Sequence, residues 1–162
     1  MKKYTNQIVS TLCVFLLTII TAHAEPNIDY PHDYRSWTHV KSMVINEGHA
    51  LHEAFGGIHH IYANDKALEG YRNGTFPEGS IIIFDLIDVS REDNAVTEQQ
   101  RKVLALMKKD SARFADTASW GFEGFGGGDP NNPVVGKDYK EACYACHTSQ
   151  QDKDYVFSQW RD

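Results

Sequence analysis

Two cysteines and a histidine near the end of the chain constrain its structure more than any other feature. Cys143 and Cys146 are three residues apart, and His147 follows at once. On a helical turn, side chains at this spacing project from one face, so both thiols can reach a single planar group. Cys-x-x-Cys-His is the attachment pattern of c-type haem. The sequence therefore predicts one covalent haem c, bonded to Cys143 and Cys146, with His147 as the iron ligand.

Two other kinds of site use closely spaced cysteines, and both fit this chain less well. A thioredoxin-like redox pair is expected after the first strand of a strand-helix-strand unit, usually near the N-terminus, whereas this motif lies near the C-terminus. A structural zinc site needs four ligands, and the only other cysteine is Cys13, far away in the N-terminal segment.

The N-terminal segment has the pattern of a cleaved secretory signal peptide, predicted over residues 1–24. Two lysines precede an apolar run at residues 8–20, which is shorter than the roughly 20 residues that cross a bilayer. Ala22-His23-Ala24 then offers a small-x-small cleavage site. An uncleaved anchor is the alternative. Cleavage leaves residues 25–162 as a single haem-binding cytochrome domain, and export predicts a periplasmic location.

The charge of the chain limits its partners. The net charge is −6, and loss of the two lysines with the signal makes it −8. Such a surface repels nucleic acid and anionic lipid, so we expect neither as a partner. A basic redox partner protein and small neutral molecules fit better.

The group on the other side of the iron decides the function. A sixth protein ligand makes an electron carrier, whereas an open position makes a gas binder or a catalyst. Met43 and Met107 follow the signal, and each sits in an apolar pattern that favours core packing. The spacing selects none of the six histidines between the signal and the motif as that ligand: His32, His39, His49, His52, His59 and His60.

Hydrophobic patterning predicts the α+β class. Strands are expected at residues 37–46, 58–63, 80–89 and 120–125, which alternate or are rich in β-branched and aromatic residues. In the third of these, even-numbered residues such as Phe84 share one face and odd-numbered ones the other. Residues 65–73 are expected to form a short helix that Asn64 or Asp65 caps and Gly74 ends, and residues 47–57 are expected to form a loop.

Two later segments carry weaker signals. Thr97 and Gln100 suggest a helix cap, yet Val103–Met107 is an apolar run that suits a buried strand equally well. A helix is predicted to carry the cysteines, and residues 154–160 are predicted as a terminal helix.

A series of short motifs adds a family resemblance. In chain order they are Tyr34-Arg35-Ser36-Trp37, Ile61-Tyr62-Ala63-Asn64, Gly74-Thr75-Phe76-Pro77-Glu78-Gly79-Ser80, Arg113-Phe114-Ala115, residues 120–122, the haem motif and Asp154-Tyr155-Val156-Phe157. In this order the chain resembles the cytochrome P-460 and cytochrome c′-beta superfamily. The resemblance implies a mainly antiparallel sheet with flanking short helices, a c-type haem on a C-terminal helix, a five-coordinate iron and a homodimer. It also favours a strand at Val103–Met107.

The superfamily has two branches, and the chain resembles the c′-beta branch more closely. In the P-460 branch a strand lysine is cross-linked to the porphyrin and the enzyme oxidises hydroxylamine. The matching position is Phe84, and Lys66 on the preceding helix is expected to be solvated. In the c′-beta branch two phenylalanines cap the open face of the iron, and Phe55 and Phe84 match that pair. Ordinary core packing is the alternative for both rings. Phenyl rings offer no hydrogen-bond donor to a bound ligand, which favours nitric oxide and carbon monoxide.

Three functions follow in order of preference: a gas-binding haem protein in nitrogen-oxide handling, a hydroxylamine-oxidising enzyme, and a six-coordinate electron-transfer cytochrome. His59 is a further candidate to line the haem pocket, and a surface or packed histidine is the alternative. Metal binding by His49, His52, Glu53, His59 and His60 is a fourth hypothesis. It is weakened because adjacent residues on a strand, such as His59 and His60, point to opposite faces.

Overall fold

The computed structural model describes residues 28–161, and within them the chain forms a five-stranded antiparallel sheet. The strands pair in the order of the sequence, so each lies beside the next. They are β1 (Thr38–Ile45), β2 (Gly57–Ala63), β3 (Ile81–Glu92), β4 (Ala95–Lys109) and β5 (Trp120–Gly126). Short helices flank the sheet, which confirms the predicted α+β fold. The predicted signal peptide lies outside the described residues.

A single helical turn lies between β1 and β2. The segment at residues 47–57 was expected to be a loop, and it differs from that expectation because it contains this turn, α1 (His52–Phe55). The amide of Gly56 donates to the main-chain oxygen of His52 (2.7 Å), which closes the turn just before β2 begins.

The helix between β2 and β3 forms where its local signals predict it. This helix, α2, spans Asp65–Asn73, and the side chain of Asn64 accepts a hydrogen bond from the amide of Ala67 (2.9 Å). Gly74 ends it with φ of 77°, a left-handed conformation that glycine adopts without steric cost.

Segment 97–110, which local signals left open between helix and strand, is almost entirely part of β4. It pairs with β3 on one side and, over Val103–Lys109, with β5 on the other, so the apolar run lies inside the sheet. The capping signal of Thr97 is not used, because Thr97 pairs with Ser90 in the outer part of the β3–β4 hairpin. The resemblance therefore predicted this strand correctly.

The two faces of the sheet bury separate apolar clusters. Residues that pair directly across antiparallel strands point to the same face. Ala63, Ile82, Met107 and Phe122 pair in this way and, with α2, define what we call the site face. Ile83, Leu104 and Leu106 lie on the opposite face with Tyr34, Phe114 and Phe125. The predicted division of β3 into even and odd faces is confirmed.

A buried charged group holds the opposite face together. Asp85 is 0% exposed and receives hydrogen bonds from Nε of Arg101 (2.5 Å) and from the hydroxyl of Tyr34 (3.0 Å). Burial and the neighbouring carboxylate raise the pKa of Tyr34 to about 12. The carboxylate is therefore paired on both sides, as a buried charge must be.

The chain after β5 crosses the site face as a helical segment and then extends. A wide π-helical turn (Lys140–Tyr144) leads into α3 (Ala145–His147) and a 3₁₀ turn (Thr148–Lys153). The predicted terminal helix at residues 154–160 is wrong. Asp154 and Tyr155 have left-handed φ angles of 50° and 66°, and residues 156–161 form no helix. None of the helices described between residues 28 and 161 is long and apolar enough to span a bilayer.

Candidate functional site

The cysteine motif lies on the helical segment that covers the site face. Cys143 is in the wide turn and packs against the core of the site face, whereas Cys146 is one helical turn further and exposed. Both thiols are free. The π-helical turn, a form that often occurs at functional sites, places Cys143 against the sheet while Cys146 stays accessible.

The chemistry of Cys143 differs from that of a redox dithiol. Burial, and then the negative charge of Glu123, raises the pKa of the Cys143 thiol to about 11. Reactive cysteines of thioredoxin-like pairs have lowered pKa values, because the thiolate is the nucleophile. Nor do residues 28–161 bring together three His, Cys, Asp or Glu side chains that could hold a metal ion. These two observations weaken the alternatives of a redox pair and a metal site, and attachment of a haem stays the prediction for these thiols.

His147 is held as an axial metal ligand would be. Its Nδ1 lies 2.7 Å from the main-chain oxygen of Tyr155, which can only accept, so Nδ1 carries the proton and Nε2 keeps its lone pair. Burial lowers the pKa of His147, which favours the neutral ring. Phe122 and Phe157 pack against this ring, with centroids 4.8 and 5.0 Å away. A histidine fixed through its Nδ1–H is typical of metal coordination.

The other predicted pocket residues come together on the same face of the sheet. The rings of Phe55 and Phe84 meet edge to face with centroids 5.6 Å apart, and His59 stacks on Phe84 at 4.4 Å. Phe84 pairs with Ala105, and two residues along β4 Met107 pairs with Phe122, which contacts His147. β3 and β5 are separated by one strand, which puts them roughly 10 Å apart. Phe84 and His147 therefore approach one region of the site face from two sides.

His59 is a buried imidazole without a partner. Its Nδ1 is the one buried side-chain nitrogen or oxygen in residues 28–161 that lacks a hydrogen bond. Burial, followed by the charges of His60 and Lys41, lowers the pKa of His59 to about 4, so the ring is neutral at physiological pH. An unsatisfied buried polar group is unfavourable by roughly 1–3 kcal/mol, which marks His59 as a residue with a use beyond packing.

Apolar side chains surround the site and remain exposed. Phe55 is 39% exposed, Phe157 49% and Val134 57%. Val134 covers Gly124, whose register partner is Ala105, so it too lies on the site face. A rim of exposed apolar side chains is characteristic of a ligand-binding surface. Together with the two thiols and the oriented histidine, this surface fits a haem.

The remaining histidines have other contacts, whereas both methionines lie on the site face, where Met43 pairs with His59 and Met107 pairs with Phe122. His39 and His60 form a hydrogen-bonded chain with Ser42 and Glu98 on the opposite face. His49 accepts a hydrogen bond from the amide of Leu51. Met107 is buried as predicted, but the core packing predicted for Met43 is wrong, because Met43 lies on the edge strand β1 and is 44% exposed.

Two parts of the site had no signal in the sequence. The first is Lys41 on β1, which pairs with Ile61; Ile61 pairs with Phe84, so Lys41 lies on the site face. The other lysine considered, Lys66, is exposed and forms an ion pair with Glu69, as expected of a solvated residue. The left-handed turn at Asp154 and Tyr155 aims a carbonyl at His147. Both depend on a strand register or on distant contacts.

A separate open groove of about 760 Å³ lies where β1, α1 and the outer part of β3 meet. Ile45, His52, Gly57, Asp88 and Lys102 are among its lining residues. The two cysteines, His147, Phe55, Phe84 and His59 do not line it. The groove is therefore not part of the cysteine site.

The comparison with known families agrees with this geometry. Residues 31–158 match the family described as Cytochrome P460. Among curated proteins, none matches the chain significantly. The family match includes the whole sheet, the cysteine motif and the turn that contacts His147. The chain therefore belongs to the cytochrome P460 family, which indicates a haem protein of the c type.

Proposed function

We propose that the protein is an exported mono-haem c-type cytochrome that binds nitric oxide or carbon monoxide at an open iron position. Cys143 and Cys146 would form the two thioether bonds, and Nε2 of His147 would ligate the iron. When bound, the haem supplies an iron centre that takes a diatomic gas at its free coordination position. The observation that carries the proposal is the grouping of Phe55, Phe84 and His59 on the face that His147 contacts.

The phenyl rings determine which ligands the site favours. Phe55 and Phe84 present hydrocarbon to the pocket, so they exclude water and give no hydrogen bond to a bound molecule. Carbon monoxide and nitric oxide depend little on such bonds. The neutral ring of His59 beside Phe84 adds one N–H donor at the edge of this surface. The proposed pocket is thus mainly apolar, with a single polar group.

The other parts of the proposal follow from the sequence. A cleaved signal over residues 1–24 supports a periplasmic location, where covalent attachment prevents loss of the haem. The acidic surface supports a basic redox partner protein, and the homodimer is proposed from the resemblance alone. In that setting the protein would carry, buffer or detoxify reactive nitrogen oxides.

Optical spectra of the purified ferrous protein, with and without nitric oxide or carbon monoxide, test the proposal. A high-spin five-coordinate spectrum that changes on addition of gas is the expected result. A low-spin six-coordinate spectrum that resists both gases would instead establish an electron carrier. Intact mass, measured on the same sample, should equal the mature chain plus one haem joined by two thioethers.

One observation favours a second candidate, a hydroxylamine-oxidising enzyme with a cross-linked haem. Lys41 is on the site face, and its charge is close enough to lower the pKa of His59. If Lys41 bonds to the porphyrin edge, peptide mapping will find it attached to haem and the Lys41→Met variant will lose the attachment. Lys66, which is exposed and paired with Glu69, provides the matched control.

A further inference from the structure

Asp154 lies in the turn after the cysteine segment and contacts three other parts of the molecule. Its carboxylate accepts a hydrogen bond from the main-chain amide of Phe76 (2.8 Å) and forms an ion pair with Nζ of Lys109 (2.6 Å). The indole of Trp120 donates to its main-chain oxygen (2.9 Å) and lies 3.3 Å from Oδ1. The side chains of Lys109 and Asp154 are 14% and 13% exposed. Asp154 therefore joins β4, β5 and the segment after α2 to the end of the cysteine segment.

The backbone at this point adopts a conformation that needs such support. Asp154 and Tyr155 both have left-handed φ angles, 50° and 66°, and neither is glycine. Side chains with a Cβ disfavour this region, so contacts that hold both residues in place offset the steric cost of the turn. The contacts of Asp154 do so at the first of the two positions. The second is Tyr155, whose carbonyl receives the hydrogen bond from His147 (2.7 Å).

We propose that Asp154 is a positioning residue for the iron ligand, acting through the turn that aims the Tyr155 carbonyl at Nδ1 of His147. This inference rests on the proposed function, in which Nε2 of His147 ligates the haem iron. The carboxylate, Lys109 and Trp120 fix the turn on the sheet, and the turn fixes the imidazole. Asp154 touches neither haem nor ligand in this proposal.

The hydrogen bond has an electronic effect as well as a steric one. A histidine that donates its Nδ1–H to an acceptor becomes a more basic ligand, and changes in such outer partners alter metal sites strongly. A well-aimed Tyr155 carbonyl therefore strengthens the iron–histidine bond and stabilises the ferric state. A loosened turn should weaken that bond and raise the reduction potential. A residue that only stabilised the fold would change neither quantity.

The test compares variants of the haem-loaded protein by resonance Raman spectroscopy of the ferrous state and by redox titration. Asp154→Asn keeps the shape of the side chain and an oxygen that can accept the hydrogen bond from the Phe76 amide, but it removes the negative charge of the ion pair. Lys109→Met removes the positive charge of the same ion pair. Both should lower the iron–histidine stretching frequency and raise the midpoint potential. The control is Asp116→Asn, which breaks an exposed ion pair with Lys140. Lys140 lies three residues before Cys143, so this ion pair also involves the cysteine segment. The control should match the unmodified protein.

The outcomes separate this inference from the proposed function. If both variants fold by circular dichroism and keep the unmodified frequency and potential, Asp154 is not a positioning residue, although gas binding stands. If Asp154→Asn does not fold, the iron–histidine frequency and midpoint potential of Lys109→Met test the proposal without it. If the unmodified protein shows no iron–histidine band and binds no gas, the proposed function fails and the inference fails with it.

Discussion

His59 and Phe84 lie almost face to face, with ring centroids 4.4 Å apart and 29° between their planes. They occupy diagonal positions on neighbouring strands, because His59 pairs with Leu86 and Ile61 pairs with Phe84. The contact fixes a neutral imidazole beside a phenyl ring that meets Phe55 on another side. A gas bound near Phe84 would therefore meet hydrocarbon first and a single nitrogen donor at its edge.

Removal of this donor should change ligand preference. In His59→Phe we expect oxygen affinity of the ferrous protein to fall by roughly 2- to 10-fold, because a neutral hydrogen bond is worth about 0.5–1.5 kcal/mol. Affinity for carbon monoxide should change less. The matched control is His60→Phe, since His60 is the next residue on β2 and faces the other way, towards Ser42 and Glu98. Equal losses in both variants would contradict a role for His59 in the pocket.

The same residue predicts how stability depends on pH. The pKa of His59 is about 4 in the folded protein, against 6.5 for a solvated histidine side chain, so between these values the unfolded chain binds more protons. The stabilisation is present above pH 6.5 and is lost as the pH falls towards 4, by up to about 3 kcal/mol. Chemical denaturation at a series of pH values should show this loss, and it should be absent from His59→Phe.

Phe84 should control the size of ligand that enters. Phe84→Ala removes a half-buried ring from the group with Phe55 and His59, so a bulky ligand such as an alkyl isocyanide should bind faster. A barrier lowered by about 1.4 kcal/mol gives a rate about tenfold higher, and we expect at least this in stopped-flow measurements. Carbon monoxide, which is small, should be affected less. Unchanged isocyanide rates would place Phe84 away from the ligand path.

The thiols should determine whether the haem stays bonded to the chain when the protein is denatured. In the unmodified protein, acidified organic solvent should leave the haem on the chain. The double variant Cys143→Ala/Cys146→Ala should release it, because only the bond from His147 would remain. Each single variant should retain one thioether and shift the ferrous absorption bands. Release of haem from the unmodified protein would contradict c-type attachment.

The charged group on the opposite face should matter for stability and not for ligand binding. Arg101→Met leaves the buried carboxylate of Asp85 without its cation, a change that typically destabilises a protein by about 3–5 kcal/mol. Urea denaturation measures the loss. Lys66→Met, which removes an exposed ion pair with Glu69, should change the free energy of unfolding by less than about 1 kcal/mol.

Elements with strong local signals could be predicted from the sequence to within three residues at either end. Helix α2 has its cap at Asn64 and its terminating glycine at Gly74, so residues close to one another along the chain suffice to specify it. The strand faces of β3 follow in the same way from alternation. The cysteine motif is also local, and for this reason the sequence alone identifies the candidate attachment residues.

Features that depend on distant contacts could not be predicted in this way. The segment at Asp154 has helical composition, but its backbone follows contacts to Phe76, Lys109 and Trp120, which are 34 or more residues away. Met43 has apolar neighbours that are typical of a core position, yet it lies on an edge strand. Lys41 reaches the site face only through the pairing of β1 with β2. The sequence of one strand does not specify how that strand aligns with its neighbour.

The sequential strand order has a consequence for how the holoprotein matures. Every pairing in the sheet joins consecutive strands, and the last strand ends at Gly126, before the cysteines. Hairpins of this kind form from contacts that are near in sequence, which favours rapid folding. In the export that we propose, the N-terminus would lead, so the five strands could pair before the cysteine segment emerges. Residues 140–153 would emerge after the sheet, with both thiols still available for the proposed attachment to porphyrin.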